Sequence, residues 1–231
     1  MPWLLRDRNS ELVEQMDAPD CDPVRLRNTY RDFIHINRTL SGWQKLFDRY
    51  IAPLCENPDQ TYTLLDIGFG GGDIPLLLHQ AAARRKIRMI IRAIDPDPRA
   101  VDYVTQLNQV PDTIVFEDAS HMDLLERGEQ FDFVVSNHVL HHLPPQDVQQ
   151  LCADADRLAR KRVVFSDLQR SDWAWLIFAI GTYGRFRNSF IREDGLRSIR
   201  RSYTPKELRE YVPSGWHVDP YFPFRIIARS S

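Results

Sequence analysis

Three stretches of this 231-residue chain combine residue types and spacings that could do chemistry. The first is Asp66-Ile-Gly68-Phe-Gly70-Gly71-Gly72-Asp73-Ile-Pro75, where an apolar run ends in an acid, passes through glycines and restarts as a helix. Gly68 and Gly70 tolerate positive φ and lack the Cβ atoms that would hold a ligand off the backbone. Asp73 is expected to cap the helix through its side chain, with Pro75 in the first turn. In doubly wound α/β folds such a turn holds a nucleoside-bearing ligand. The second set is acids at later strand ends. Asp95 follows Gly72 by room for one helix and one strand, and its carboxylate can accept two ribose hydroxyls. Asp97 is better placed for the Asx turn, which would leave Asp95 free. Asp118, with Glu117 as fallback, can accept a base's exocyclic amine while the adjacent Ala119 N–H donates to the ring. The third is the loop Asn137-His138-Val139-Leu140-His141-His142, beyond a central strand. Histidine titrates near pH ~6.5 and is a natural base. His138 is the first choice and His142 the second, while His141 and His142 also suit a structural role. His138 and His142 have helical i, i+4 spacing, but no third ligand is evident, so no metal site is expected.

The glycine pattern discriminates between ligands. A dinucleotide fingerprint would put Asp73 at its third glycine, where a carboxylate repels a pyrophosphate. The spacing Asp66-x-Gly68-x-Gly70-x-Gly72 instead resembles motif I of the class I S-adenosylmethionine (SAM) dependent methyltransferases. SAM has no phosphate and carries an ammonium and a sulfonium. The resemblance continues through the later strand ends and the Val-Leu-His-His-Leu run. It implies SAM contacts from Asp66, Gly68, Gly70, Gly72, Asp95, Pro96, Asp118, Ala119, Asn137 and His138, with Asn37 and Arg38 reaching the amino-acid end. The chain looks like the small-molecule branch related to ubiquinone and menaquinone biosynthesis methyltransferases. Its N-terminal helices and the stretch 195–203 are loosely similar to secondary-metabolite methyltransferases. The implied activity is O- or C-methylation of a small aromatic, phenolic or polyketide-like acceptor, assisted by His138 or His142. The alternatives are an RNA methyltransferase and a non-catalytic protein that binds SAM or S-adenosylhomocysteine (SAH). Nothing matches the Asn-Pro-Pro-Tyr signature of amino-directed nucleic-acid enzymes.

These residues need a scaffold. Hydrophobic periodicity predicts a short helix at Glu11–Met16, and a long one from Val24 to about Tyr50 that Ser41-Gly42 interrupts. Strands are expected at 62–66, 87–95 (buried on both faces), 113–117, 131–136 and 162–167, with a closing antiparallel pair at 216–221 and 225–229. Helices are expected at 73–85, 98–107, 173–181 and, behind the capping box Thr204-Pro205-x-Glu207, to about Val212. The fold class is α/β: a Rossmann-like class I methyltransferase with a seven-stranded, mainly parallel sheet, an antiparallel last strand and helices on both faces. Residues 1–61 are expected to form a helical lid, and 62–231 a SAM-binding domain with a cap insertion at about 170–203.

The composition is that of a globular protein: 43% hydrophobic, 27% charged, net charge −2. From Arg157 to Arg209, thirteen basic residues against five acids leave that stretch at +8, the feature behind the RNA alternative. Three scattered cysteines outline neither a disulfide framework nor a zinc site. Without a long apolar run, a signal peptide and a membrane span are not expected. A cytoplasmic monomer or homodimer that takes a small-molecule acceptor, with nucleic acid disfavoured, is the expectation.

Overall fold

The computed structural model describes residues 2–231. Strands β1 (Thr61–Ile67), β2 (Arg88–Asp95), β3 (Ile114–Asp118), β4 (Phe131–Asn137), β5 (Ala159–Leu168), β6 (His217–Tyr221) and β7 (Arg225–Arg229) form one sheet of order β3-β2-β1-β4-β5-β7-β6. The first five run parallel, and β7 is antiparallel to both β5 and β6. This is the expected sheet. The strand order reverses between β1 and β4, so their carboxyl ends open a crevice there. Every residue of the central strand β4 is buried, as a strand covered on both faces requires. β2 departs from that expectation. Arg88 and Ile90 are exposed, and Arg92 turns outward to pair with Glu117 and Glu129.

Helices α1 (Pro23–Leu40), α2 (Trp43–Leu46), α3 (Asp73–Arg84), α4 (Pro98–Val104), α5 (His121–Glu126), α6 (Pro145–Leu158), α7 (Asp172–Gly181), α8 (Ile191–Arg201) and α9 (Pro205–Tyr211) surround the sheet. Asp22 caps α1, and the expected break after it falls at Ser41-Gly42. The Thr204 capping box is formed. Asp73, however, does not cap α3. Gly72 is the N-cap in a left-handed conformation (φ 75°), and Asp73 is the first helical residue. A Cβ on Gly72 would lie 2.9 Å from Val104 and 3.0 Å from Phe116, so this glycine serves the packing of α3 on α4 and β3.

Glu11–Met16 is not helical. Its backbone N–H groups at Gln15 and Met16 donate to the Asp194 carboxylate (2.7 and 2.9 Å), and Arg197 donates to the Val13 carbonyl (2.8 Å). These partners on α8 replace the bonds of a helical turn. Residues 9–21 thus form an irregular strap across α8. Helices α5, α6 and α8 go beyond the expected set. α6 shows an ordinary apolar stripe (Val148, Leu151, Cys152, Ala155, Leu158). The buried face of α8 mixes Ile191 and Ile199 with Asp194, Ser198 and Arg201, which hides its period.

Candidate active site

The crevice is a cavity of about 690 Å³, within the usual range for a small-molecule site. One wall comes from the β1–α3 turn. Gly68 sits at φ 79°, and a Cβ there would lie 2.7 Å from Val139, so the turn can pass the histidine loop only without a side chain. Gly70 donates its N–H to Asp95 Oδ2 (2.8 Å), and Asp97 donates to Asp95 Oδ1 (3.0 Å). Asp95 therefore does form an Asx turn while Asp97 caps α4, contrary to the expectation that Asp97 alone would do so. Each Asp95 oxygen still has a lone pair directed outward. Asp66 and Asp73 are buried nearby. Both Asp66 oxygens and Asp73 Oδ2 lack any hydrogen-bond partner among the described residues. Burial, then the neighbouring Asp73 and Asp95 charges, raise the Asp66 carboxyl well above the usual range, and burial lifts Asp73 to about 6. A group of buried carboxylates without a cation is costly, and a ligand that carries positive charge relieves it.

The predicted residues divide by position. Asn37, Gly68, Gly70, Asp95, Asn137, His138 and His142 line the cavity together with Phe69, Gly71 and Asp73. Arg38 does not; it is exposed, because one residue along a helix turns the side chain about 100° away from Asn37. Gly72 and Asp66 lie behind the wall. Pro96, Asp118 and Ala119 are also outside the lining, although Asp118 is the registered neighbour of Asp95 at the edge of the crevice.

The floor is a polar network around Arg225, which the sequence reading did not select. Arg225 is buried and donates to Asn137 Oδ1 (2.6 Å), to Ser166 Oγ (2.9 and 3.0 Å) and to His138 Nε2 (2.8 Å). Trp43 Nε1 donates to the same Asn137 oxygen (3.0 Å). His138 has a positive φ of 63°, a strained state that the network holds in place. Burial and the Arg225 charge lower its pKa well below the ordinary histidine value. The lone pair of His138 Nε2 is thus engaged by a guanidinium. We predict that Arg225→Met raises the His138 pKa, read by NMR titration, and costs about 2–3 kcal/mol through the orphaned acceptors. An unchanged His138 titration would refute this pairing.

His141 and His142 meet the strap at the far wall. His141 Nδ1 bonds Asp167 Oδ1 (2.7 Å), and its Nε2 faces Glu14 Oε1 (3.2 Å). Burial disfavours the imidazolium, but Asp167 and Glu14 outweigh it and hold the pKa at about 10. Burial likewise pushes Glu14 up, yet His141, His142 and Ser198 bring it to about 2. His142 is partly exposed, with Nδ1 at 3.3 Å from Asp17 and Nε2 at 3.8 Å from Glu14. The carboxylate that the sequence did not reveal beside the histidines is therefore Glu14, more than a hundred residues upstream. No local signal marks it, because a segment without helix or strand delivers it.

A methyltransferase-domain family profile matches residues 65–166. Among curated relatives, the tRNA N(3)-cytidine methyltransferase METTL6 of Mus musculus is 32% identical over 152 residues, 62% of this chain and 51% of its own. The ubiquinone biosynthesis O-methyltransferase of Salmonella paratyphi A is 26% identical over 156 residues, 64% of this chain and 59% of its own. The chain spans little more than half the length of these relatives. Among solved structures, a complex of the plantazolicin methyltransferase BpumL with a pentazolic desmethylPZN analog and SAH superposes with TM-score 0.59 at 12% identity, covering 90% of this chain and 94% of that one. Human N-acetylserotonin methyltransferase with SAM gives TM-score 0.62 at 12% identity, covering 91% and 57%. At that identity the structures show the shared fold. The chain has the class I SAM-dependent methyltransferase fold, and its residues 65–166 match the methyltransferase-domain family. Among the described residues no helix is long and apolar enough to cross a membrane.

Proposed function

We propose that this protein transfers a methyl group from SAM to a small, largely apolar acceptor bearing an ionisable hydroxyl or an activated carbon. The observation that carries the reading is the set of buried carboxylates beside the glycine turn, with both Asp66 oxygens and Asp73 Oδ2 unpartnered among the described residues, which suits a cationic donor bearing a ribose. Asp95 would accept the ribose hydroxyls. Asp73 and Asn37 would face the amino-acid end. SAM supplies an electrophilic methyl on positively charged sulfur.

The rest of the cavity is apolar. Phe33, Ile36, Ile177, Phe178, Ile199 and Phe222 line it, contributed by α1, α7, α8 and the turn before β7. These walls support an aromatic or polyketide-like acceptor held in line by contact, with water excluded. In this reading α1 and the strap act as the lid, and α7 and α8 as the cap. His142 is the base, since its imidazole lines the cavity and Asp17 orients it, whereas His138 is engaged by Arg225. The relative that acts on tRNA raises an RNA acceptor. Against it, Arg170, Arg192, Arg197, Arg201 and Arg209 of the basic stretch donate to backbone carbonyls, which leaves fewer guanidinium N–H donors for phosphates.

The test is calorimetric titration with SAM and SAH, followed by labelled-methyl transfer to a panel of phenolic, polyketide and RNA acceptors. Micromolar binding of both ligands and transfer to a phenolic or polyketide member are expected. A folded protein that binds neither ligand refutes the donor, and transfer confined to RNA refutes the acceptor class.

A further inference from the structure

Glu14, His141 and His142 each direct one ligand atom into a common space on the cavity wall, with all three atoms within 4.8 Å of one another. We infer that these residues form a binding site for a divalent transition-metal ion, with zinc the best match to the donors, and that its open coordination position faces the acceptor.

Two features separate this cluster from a chance meeting of polar side chains. First, the spacing is right. Ligands about 2.0–2.2 Å from a tetrahedral zinc lie about 3.4 Å apart. His141 Nε2 and His142 Nε2 lie 3.2 and 3.8 Å from Glu14 Oε1, and a metal ion entering between them displaces the proton that His141 Nε2 shares with Glu14 into solvent. Second, both rings are already oriented as ligands. A metal-bound histidine almost always gives its other ring nitrogen to a carboxylate or carbonyl, which fixes the tautomer. His141 Nδ1 is hydrogen-bonded to Asp167 (2.7 Å), while His142 Nδ1 lies 3.3 Å from Asp17 as a charge-pair contact, and both Nε2 atoms are turned toward Glu14. Ser198 Oγ anchors the Glu14 carboxylate (2.7 Å). Two histidines and one glutamate with a vacant fourth position is a donor set that zinc uses when it acts on a substrate.

The site itself stands on these distances alone, whereas its role rests on the methyl-transfer reading. An acceptor hydroxyl bound at the vacant position becomes more acidic. Its O–H bond breaks and the proton leaves to solvent water. The oxygen pair then forms the O–C bond as the C–S bond breaks, and the C–S pair stays on sulfur as neutral SAH. His142 is then a ligand, and the ion takes over the task assigned to it as a base.

The experiment titrates the full chain, freed of metal by a chelator that is then removed, with Co²⁺ followed by competing Zn²⁺. One equivalent of tightly bound cobalt is expected, with the intense visible absorption of four- or five-coordinate Co²⁺ that Zn²⁺ abolishes. Glu14→Gln and His142→Ala should each weaken binding by about 100-fold or more, and Asp17→Asn by about 10- to 100-fold. All three variants should keep wild-type SAM affinity, which certifies their fold and reads the donor site separately. Cobalt that does not bind, that keeps the pale spectrum of the hexaaqua ion, or that binds Glu14→Gln and His142→Ala as tightly as wild type overturns the site. Tight cobalt binding without SAM binding would leave the site standing and sink the methyl-transfer role.

Discussion

Alanine at Asp95 should weaken SAM binding at least about 100-fold. Two charge-assisted hydrogen bonds from ribose hydroxyls to one carboxylate are worth about 1.5–3 kcal/mol each, and about 3 kcal/mol is roughly a 100-fold change in Kd. The substitution also removes the acceptor for Gly70 N–H and Asp97 N–H, so the turn that carries the donor loses its anchor. The loss should therefore exceed that of Asp95→Asn, which keeps one acceptor oxygen and can still receive one of the two backbone bonds. Calorimetry on both variants, beside thermal unfolding to verify the fold, is decisive. If folded Asp95→Ala binds SAM within fivefold of wild type, the donor lies elsewhere in the cavity.

The second large effect concerns stability. His141→Ala removes the cation held between Asp167 and Glu14 and leaves two buried carboxylates without it. Breaking a buried ion pair from one side costs about 3–5 kcal/mol, and chemical denaturation of the metal-free chain would measure it. A loss under about 1 kcal/mol would contradict the assignment of His141 as a buried imidazolium. The pH dependence carries the same signature. The His141 pKa is raised to about 10, so its contribution is complete below the unfolded histidine value of ~6.5 and disappears as pH climbs through 10. Glu14 and Asp167 are shifted the opposite way, Glu14 to about 2. Their contributions are complete above ~4.3 and fade in acid. The wild-type midpoint should thus fall between pH 6.5 and 9.5, measured with a chelator present, while His141→Ala loses most of that slope.

The proposed donor half of the cavity follows from the sequence because its chemistry is local. A glycine turn and acids at successive strand ends carry their own spacing, and the parallel order of the sheet brings them together at one edge. The acceptor half obeys no such rule. Arg225 reads as an ordinary charge at the start of an apolar strand until β7 inserts beside β5 and buries it against Asn137 and Ser166. Glu14 reads as one of several acids in a polar stretch until Asp194 and Ser198 draw the strap over the histidines. Helix propensity placed Glu11–Met16 in a helix, and tertiary hydrogen bonds overrode it. Arg38 shows a finer limit, since it shares helix α1 with its neighbour Asn37 and yet is exposed where Asn37 is buried.

The strap has a consequence for how this molecule can change. The proposed donor wall is made of the sheet's own strand ends, where a Cβ on Gly68 or Gly72 would press on Val139 or Val104. Part of the opposite wall is a stretch of irregular chain tied to α8 and α4 by a handful of polar bonds. Variation can therefore rewrite one half of the pocket while the other stays fixed, as a tool changes its bit and keeps its motor. A library restricted to residues 9–21 and the facing side of α8 would sample new acceptors on an unaltered methyl donor, and lineages that diverge in substrate should differ first along that strap.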